Sequence, residues 1–192
     1  NRLVHRMPVR RLEAEVIRDS ALAISGRLDR TVGGKPVPVY LSEFVVGRGK
    51  PRRSGPLDGA GRRSTYTTVR RNFLPTLMLA FDFPTPFSTV GKRDVTNVPA
   101  QSLALMNDPF LFEQAQVWAS RILKQMPDRS ATERIQRMFT EAFARTPSES
   151  ELDACLEAVT EFSKLYGDVN TAETWRDLCH SFFSMTDFIY LR

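Results

Sequence analysis

Two histidines, two cysteines and a spread of arginines and carboxylates are the groups from which this 192-residue chain could draw chemistry. His5 and His180 are far apart in sequence. Cys155 and Cys179 share no Cys-x-x-Cys or Cys-x-x-Cys-His spacing, so neither a metal clip nor c-type haem attachment is written here. Cys179 and His180 are adjacent, but neighbours on a helix point about 100° apart, which is poor geometry for a nucleophile and its base. Both cysteines fall on apolar stripes, where a small buried hydrophobe is the usual role. There is no His-Glu-x-x-His, no calcium loop and no Gly-x-Ser-x-Gly elbow. Gly47-Arg-Gly-Lys50 lacks the earlier glycine and the following Ser or Thr of a phosphate loop. No catalytic motif is found.

What remains is a polar constellation. Arg11, Glu15, Arg18 and Asp19 open the chain's first helical text. Arg62, Arg63, Arg70 and Arg71 surround Tyr66. Asp82 follows, and then Arg93, Thr96, Gln101, Asn107 and Asp108. Arg11, Glu15 and Arg18 recur at i, i+4 and i+7, which sets Glu15 between two guanidinium groups, either as a solvated charge ladder or as a buried cluster. Arginines with carboxylates and amides can clamp a sugar, sulfate or carboxylate. The same residue types can instead satisfy the backbone of an irregular segment that has no ladder partners. The second reading is preferred.

The elements that must position these groups can be taken in order. A helix is expected from Leu12 to Ser25, with Ile17, Ala21, Ile24 and Leu28 on one stripe and Gly26 as a left-handed stop. Residues 26–63 show no period and are punctuated by Gly and Pro. Val37 to Val46 can hold one short strand, and Arg48 to Arg53 reads as a basic, flexible surface loop. Ser64 to Arg71 is extended or a short helix. Pro75 starts a short helix ending near Phe81. Thr96 or Asn97 caps a helix with Pro99 in its first turn and Leu103, Ala104 and Met106 on its apolar side. Asp108 caps the next helix, with Pro109 at its first position. That helix carries Leu111, Ala115, Trp118, Ile122 and Met126.

Two capping boxes follow, Ser130-x-x-Glu133 and Ser148-x-x-Glu151. The first precedes Ile135, Met138, Phe139, Ala142 and Phe143. The second precedes Leu152, Cys155, Leu156, Val159, Phe162 and Tyr166, all expected to face inward, with Gly167 as the stop. A final helix from about Ala172 would carry Trp175, Leu178, Cys179, Phe182, Met185 and Ile189 on one face. The predicted fold is mainly α: an irregular basic N-terminal half (1–93), with one helix, packed on a C-terminal antiparallel helical bundle (94–192), all as one domain.

Composition agrees with a globular protein, at 42% hydrophobic and 26% charged residues. The net charge of +5 is unevenly spread. Residues 1–71 hold 16 basic against 6 acidic residues, and residues 72–192 hold 11 against 16. A basic half can mark a nucleic-acid surface, but no groove-reading element accompanies it, and nucleic acid is the least favoured partner. No apolar run approaches a membrane span. The chain begins at Asn1 and is read as a piece of a longer or processed protein.

The polar constellation also carries a family likeness. Arg10-Arg-Leu-Glu-Ala-Glu-Val-Ile-Arg-Asp19, Ser25-Gly-Arg-Leu-Asp-Arg30, Gly33-Gly34, Arg62-Arg-Ser-Thr-Tyr66 and Phe81-Asp-Phe-Pro84 resemble the planctomycete-type domain of unknown function DUF1553, also called PSD1. The likeness continues through Arg93, Thr96-Asn-Val-Pro-Ala-Gln-Ser-Leu-Ala-Leu-Met-Asn-Asp-Pro109, Phe143-Ala-Arg-Thr-Pro147 and Asp187-Phe-Ile-Tyr190. Ser88 stands where relatives are expected to have Cys, and Asp187 where the family has Glu. The resemblance implies the C-terminal part of a large exported multidomain bacterial protein, located in the periplasm or cell envelope. It implies preceding domains in the same polypeptide as partners and no cofactor in this chain. Any c-type haem would belong to a cytochrome-like domain elsewhere. The function expected is a non-catalytic structural or interaction module. The alternative is a carbohydrate- or anion-binding module taking an acidic glycan through Arg11, Glu15, Arg18, Asp19, Arg63, Tyr66, Asp82, Arg93, Gln101, Asn107 and Asp108.

Overall fold

The four long helices of the C-terminal half each begin where a side chain takes up one of the N–H groups that an α-helix leaves orphaned at its start, whereas the first long helix starts at Glu13 with no side-chain cap. In the computed structural model, which describes residues 7–87 and 89–191, α1 spans Ala14–Ser25, α2 Thr76–Ala80, α3 Pro99–Asn107 and α4 Pro109–Gln125. They are followed by α5 Ala131–Phe143, α6 Glu149–Tyr166, α7 Ala172–Phe183 and α8 Thr186–Ile189. His5 and Ser88 lie outside the described residues. Ser130 and Ser148 form complete capping boxes with Glu133 and Glu151, and Thr171 caps α7 by accepting from the Thr174 N–H. Asp108 accepts from the Phe110 N–H, with Pro109 at the first position of α4. Gly26 and Gly167 end α1 and α6 at φ +83° and +82°.

The chain is mainly α, and its main core is a large apolar cluster. Ala14, Ile17, Ala21 and Leu22 of α1 share it with Leu111, Ala115, Trp118 and Ile122 of α4. The α5 residues Ile135, Met138 and Phe139 and the α7 residues Trp175, Leu178, Cys179, Phe182 and Phe183 complete it. Helices α4 and α7 make the broadest helix–helix contact. Trp118 is fully buried, edge-on to Phe182 at 5.7 Å between centroids, and donates its indole N–H to Glu141. Buried side chains of this size are worth roughly 1.5–3 kcal/mol each in transfer free energy.

Several expectations need correction. The last helix is two: α7 stops at Ser184, and α8 restarts after an extended Met185. The break lets Tyr190–Leu191 (β2) return and pair antiparallel with Arg10–Arg11 (β1). Tyr166 is exposed, and its hydroxyl donates to Asp177 at 2.7 Å. No side chain caps α3, whose Ncap is Val98. The buried side of α3 is Gln101 and Leu105, with Ala104 packed against the core as expected, while Leu103 and Met106 are each 59% exposed. The apolar residues of this short helix fall on all sides, so packing against α2 and α4, not pattern, selects the face. Residues 37–46 form no strand, only an isolated bridge from Val37 to Thr67.

The irregular half between α1 and α2 is held by close backbone approaches and two 3-10 turns, Gly59–Gly61 and Ser64–Tyr66. Gly61 sits at φ +72°, and its Asp29 partner donates to the Gly61 carbonyl at 2.8 Å. A Cβ on Gly61 would meet the Arg27 carbonyl oxygen at 2.2 Å, whereas one on Gly33, at φ +80°, would meet nothing within 4 Å. Gly61→Ala should therefore cost about 2–3 kcal/mol in urea unfolding and Gly33→Ala only about 1 kcal/mol. Equal losses at the two sites would mean that the approach at Gly61 is not tight.

Candidate functional site

Guanidinium groups are rigid, multi-donor and always charged, so each can gather several acceptors from a chain without regular secondary structure. Three of them converge on β1 and α1 at the start of the fold. Arg11, on β1, is 7% exposed. It donates to the Thr96 carbonyl at 2.6 Å and to Asp82 Oδ2 at 2.6 Å, and lies over the Phe81 ring. Asp82 follows α2 in the left-handed region, at φ +59°. It also accepts from the Thr96 N–H at 2.8 Å and from the Thr96 hydroxyl at 2.9 Å. Burial raises the Asp82 pKa, but the Thr96 N–H and the Arg11 guanidinium outweigh it, and the carboxyl ends below its ordinary value. Gln101 donates to the same Thr96 carbonyl at 3.1 Å.

Arg18 is the second anchor, also 7% exposed. It donates to the Asp58 carbonyl at 2.7 Å, the Arg62 carbonyl at 3.0 Å and the Ser64 hydroxyl at 3.2 Å, and pairs with Asp19 at 3.3 Å. Burial pulls its pKa down, opposed by Asp19 and Asp58. Asp19 in turn accepts from the Ser64 N–H and hydroxyl, at 2.8 and 2.7 Å. Asp58 accepts from the Ala60 N–H and pairs with Arg27, closing the turn that lies on Arg18. A Cβ at Gly59 would fall 2.4 Å from the Arg18 guanidinium.

The third anchor is Arg93, which meets Glu15 through two bonds of 2.8 Å and Glu13 at 3.1 Å. This corrects the expectation that Glu15 lies between Arg11 and Arg18. Those two arginines turn away to backbone carbonyls, and the Glu15 partner comes from 78 residues downstream. Burial opposes ionisation of Glu15, but its hydrogen bonds with Arg93 prevail, and its pKa is lowered below the ordinary 4.5.

The remaining predicted residues divide. Tyr66 accepts from the Gly33 N–H at 2.8 Å and has Arg62 stacked 4.2 Å from its ring centroid. Arg62 also donates to the Thr31 carbonyl at 3.0 Å. Arg63 is exposed, and among the described residues its guanidinium makes no ion pair. Gln101 stays within its own segment. Asn107 is exposed and donates to Leu103 one turn back on its own helix. Asp108 is committed to capping α4, and burial raises its pKa. Neither Asn107 nor Asp108 reaches the N-terminal half. Sequence reasoning missed Glu13, Asp58 and Ser64 as partners. Asp58 before Gly59 is a turn signal, but Ser64 and Glu13 carry none.

Beside this network runs a groove of about 640 Å³, lined in part by Glu13, Glu15, Asp19, Arg63, Val69 and Phe83. A smaller hollow of about 300 Å³ lies at Met106, His180, Ser184 and Met185. His180 approaches the Leu105 carbonyl at 3.1 Å and meets the Phe112 ring edge-on. Cys179 is fully buried, and burial holds its thiol well above the ordinary pKa. Burial likewise lifts Cys155 to about 11. Both are poor nucleophiles. Among the described residues no group of three or more His, Cys, Asp or Glu side chains is placed to hold a metal. No described helix is long and apolar enough to cross a membrane.

Fold and network together define a helical domain whose irregular half is tied down by arginine. The family model for PSD1, a protein of unknown function (DUF1553), matches residues 1–159, and the chain belongs to that family. No curated protein and no solved structure matches it.

Because the folded Glu15 pKa is depressed, its contribution to stability is complete above the unfolded value near 4.5 and is lost as pH falls through the folded value. Arg93→Gln should lower stability by about 0.5–1 kcal/mol at neutral pH, the size of a partly exposed pair. The gap from wild type should close in acid. A gap that persists in acid would show that Arg93 acts through something other than Glu15.

Proposed function

We propose that this domain is a non-catalytic structural or interaction module of an exported multidomain bacterial protein of the periplasm or cell envelope, and that it packs against a preceding domain of the same polypeptide. The observation that carries this reading is a run of exposed apolar residues along one stretch of chain. Val95 is 69% exposed, Leu103 and Met106 59% each, Phe112 45% and Val98 41%. Large apolar side chains are scattered on most surfaces, but five within 18 residues, on and around α3, are a concentration of apolar surface that a neighbouring domain would cover. The polar residues nearby support the same view. Arg11, Arg18, Asp19, Asp82, Arg93 and Glu15 are engaged with one another and with backbone, which is the work of a scaffold. Export and location rest on the family resemblance.

The second reading, an anion- or carbohydrate-binding module, is favoured by one observation: the groove beside Glu15, Asp19 and Arg63. Arg63 would supply the cation for an acidic glycan, and the Ser20 and Thr65 hydroxyls in the same wall would meet sugar hydroxyls.

Leu103→Asp combined with Met106→Asp tests the first reading. Both positions are exposed, so the melting temperature of the domain should stay close to wild type. Binding to the preceding domain supplied in trans, followed by calorimetry, should weaken at least about tenfold. Unchanged binding would remove the apolar residues around α3 as the docking surface. A sulfated oligosaccharide that raises the melting temperature of wild type but not of Arg63→Ala would favour the second reading instead.

A further inference from the structure

The segment from Val39 to Gly55 contains no helix or strand, yet it is a built loop. Its ends are stapled together: the Gly55 N–H donates to the Val39 carbonyl at 3.0 Å, and the Leu41 N–H donates to the Ser54 hydroxyl at 2.8 Å. The closure is tight, because a Cβ on Gly55 would lie 1.9 Å from the Pro38 carbonyl oxygen. Beneath the loop is a small core, separate from the main cluster, which the loop shares with Phe73. Val39, Leu41 and Phe73 are buried, and Val45 packs on them. Turns at Ser42–Val45 and Gly47–Lys50 fold the chain back between the staples. A short surface loop with joined ends, packed largely by its own Val39, Leu41 and Val45, resembles an Ω-loop, an arrangement that is frequently functional.

The tip is amphipathic. With Val45 turned inward, its neighbours Phe44 and Val46 point outward and are 92% and 85% exposed. Arg48, Lys50, Arg52 and Arg53 follow at once, all exposed, against a single carboxylate, Glu43. Among the described residues, none of these four cations is in an ion pair. The small core already uses Val39, Leu41, Val45 and Phe73, so the outward pair adds nothing to packing within the chain.

We infer that this loop is a peripheral membrane-binding tip: Phe44 and Val46 enter the headgroup–acyl boundary of an anionic lipid surface while Arg48, Lys50, Arg52 and Arg53 meet lipid phosphates. Charge complementarity selects the lipid. The attraction of basic residues to an anionic leaflet falls off within a Debye length, so the cations must lie at the depth of the inserting groups, and here they are two to nine residues away along the same loop. Shallow burial of an aromatic or aliphatic side chain supplies the second signal that basic residues alone lack. A nucleic acid fits less well. Binding to single strands would use flat rings for stacking, and Val46 has none, while both outward residues gain from a hydrocarbon boundary. The contact reversibly tethers the domain and leaves the apolar residues around α3 available to another partner.

Co-sedimentation of the 192-residue chain with vesicles tests this. Wild type should pellet with phosphatidylglycerol–phosphatidylcholine vesicles but not with phosphatidylcholine alone. Raising salt from about 0.1 M to about 0.5 M should weaken the binding. Phe44→Ser with Val46→Ser, and separately Arg52→Glu with Arg53→Glu, should each reduce partitioning at least about fivefold. Thermal melts should remain at wild type, because the substituted side chains lie outside both cores. Absence of wild-type pelleting on anionic vesicles would overturn the inference. So would undiminished pelleting of the serine variant, which would leave the apolar pair without a role. Tighter binding to a DNA oligonucleotide that displaces the vesicles would assign the loop to nucleic acid.

Discussion

A chain that buries an irregular backbone must still pair its carbonyls, and in this fold that constraint is met by arginine. The N-terminal half has too little helix or strand to satisfy itself. Arg11 and Arg18, both nearly fully buried, take the carbonyls of residues 58, 62 and 96. The same device recurs in the helical half. Arg121 donates to the Ile24 carbonyl in the last turn of α1, and Arg134 donates to the carbonyls of Met126 and Pro127 just beyond α4. A bond from a charged donor contributes about 1.5–3 kcal/mol, more than a neutral one. The desolvation of each guanidinium offsets part of that gain, which is why every one of these groups makes several bonds.

The consequence is a particular division of labour. The apolar cluster built on α1, α4, α5 and α7 holds the helices together. The guanidinium anchors hold the loops to β1 and α1. Asp82 joins the two systems. Through Arg11 it reaches β1, and β1 pairs with β2 at the far end of the chain. Through Thr96 it fixes the approach to α3. First and middle segments therefore meet at one carboxylate, and the last segment joins them through its pairing with β1. With its polar interior committed inward, the domain leaves on its surface the apolar residues around α3, the groove beside Arg63 and the basic loop at Phe44.

Much of the helical architecture was legible because helix starts are local events. Ser130 with Glu133, Ser148 with Glu151, and Asp108 with Pro109 declare themselves within four residues. The membership of the polar network was legible as residue type but not as partnership. Glu15 has an arginine four residues before it and another three residues after it, yet pairs with Arg93, because the nearer arginines are drawn to backbone acceptors delivered by distant loops. The face of α3 was misread for a related reason: a short helix with apolar residues all round takes its orientation from its neighbours. The stop at Ser184 comes from β2 having to return to β1, a pairing across about 180 residues that no local pattern announces.

Arg11 and Asp82 act as one structural unit tying the irregular half to the helices. A double-mutant cycle on unfolding free energy, using Arg11→Met, Asp82→Asn and the pair, measures this most directly. Asn tolerates the left-handed backbone at position 82, so the turn is retained while the charge is removed. Each single change should be destabilising and the double mutant should lose less than the sum, with a coupling energy of about 1–3 kcal/mol. Additive losses, or a coupling near zero, would contradict this.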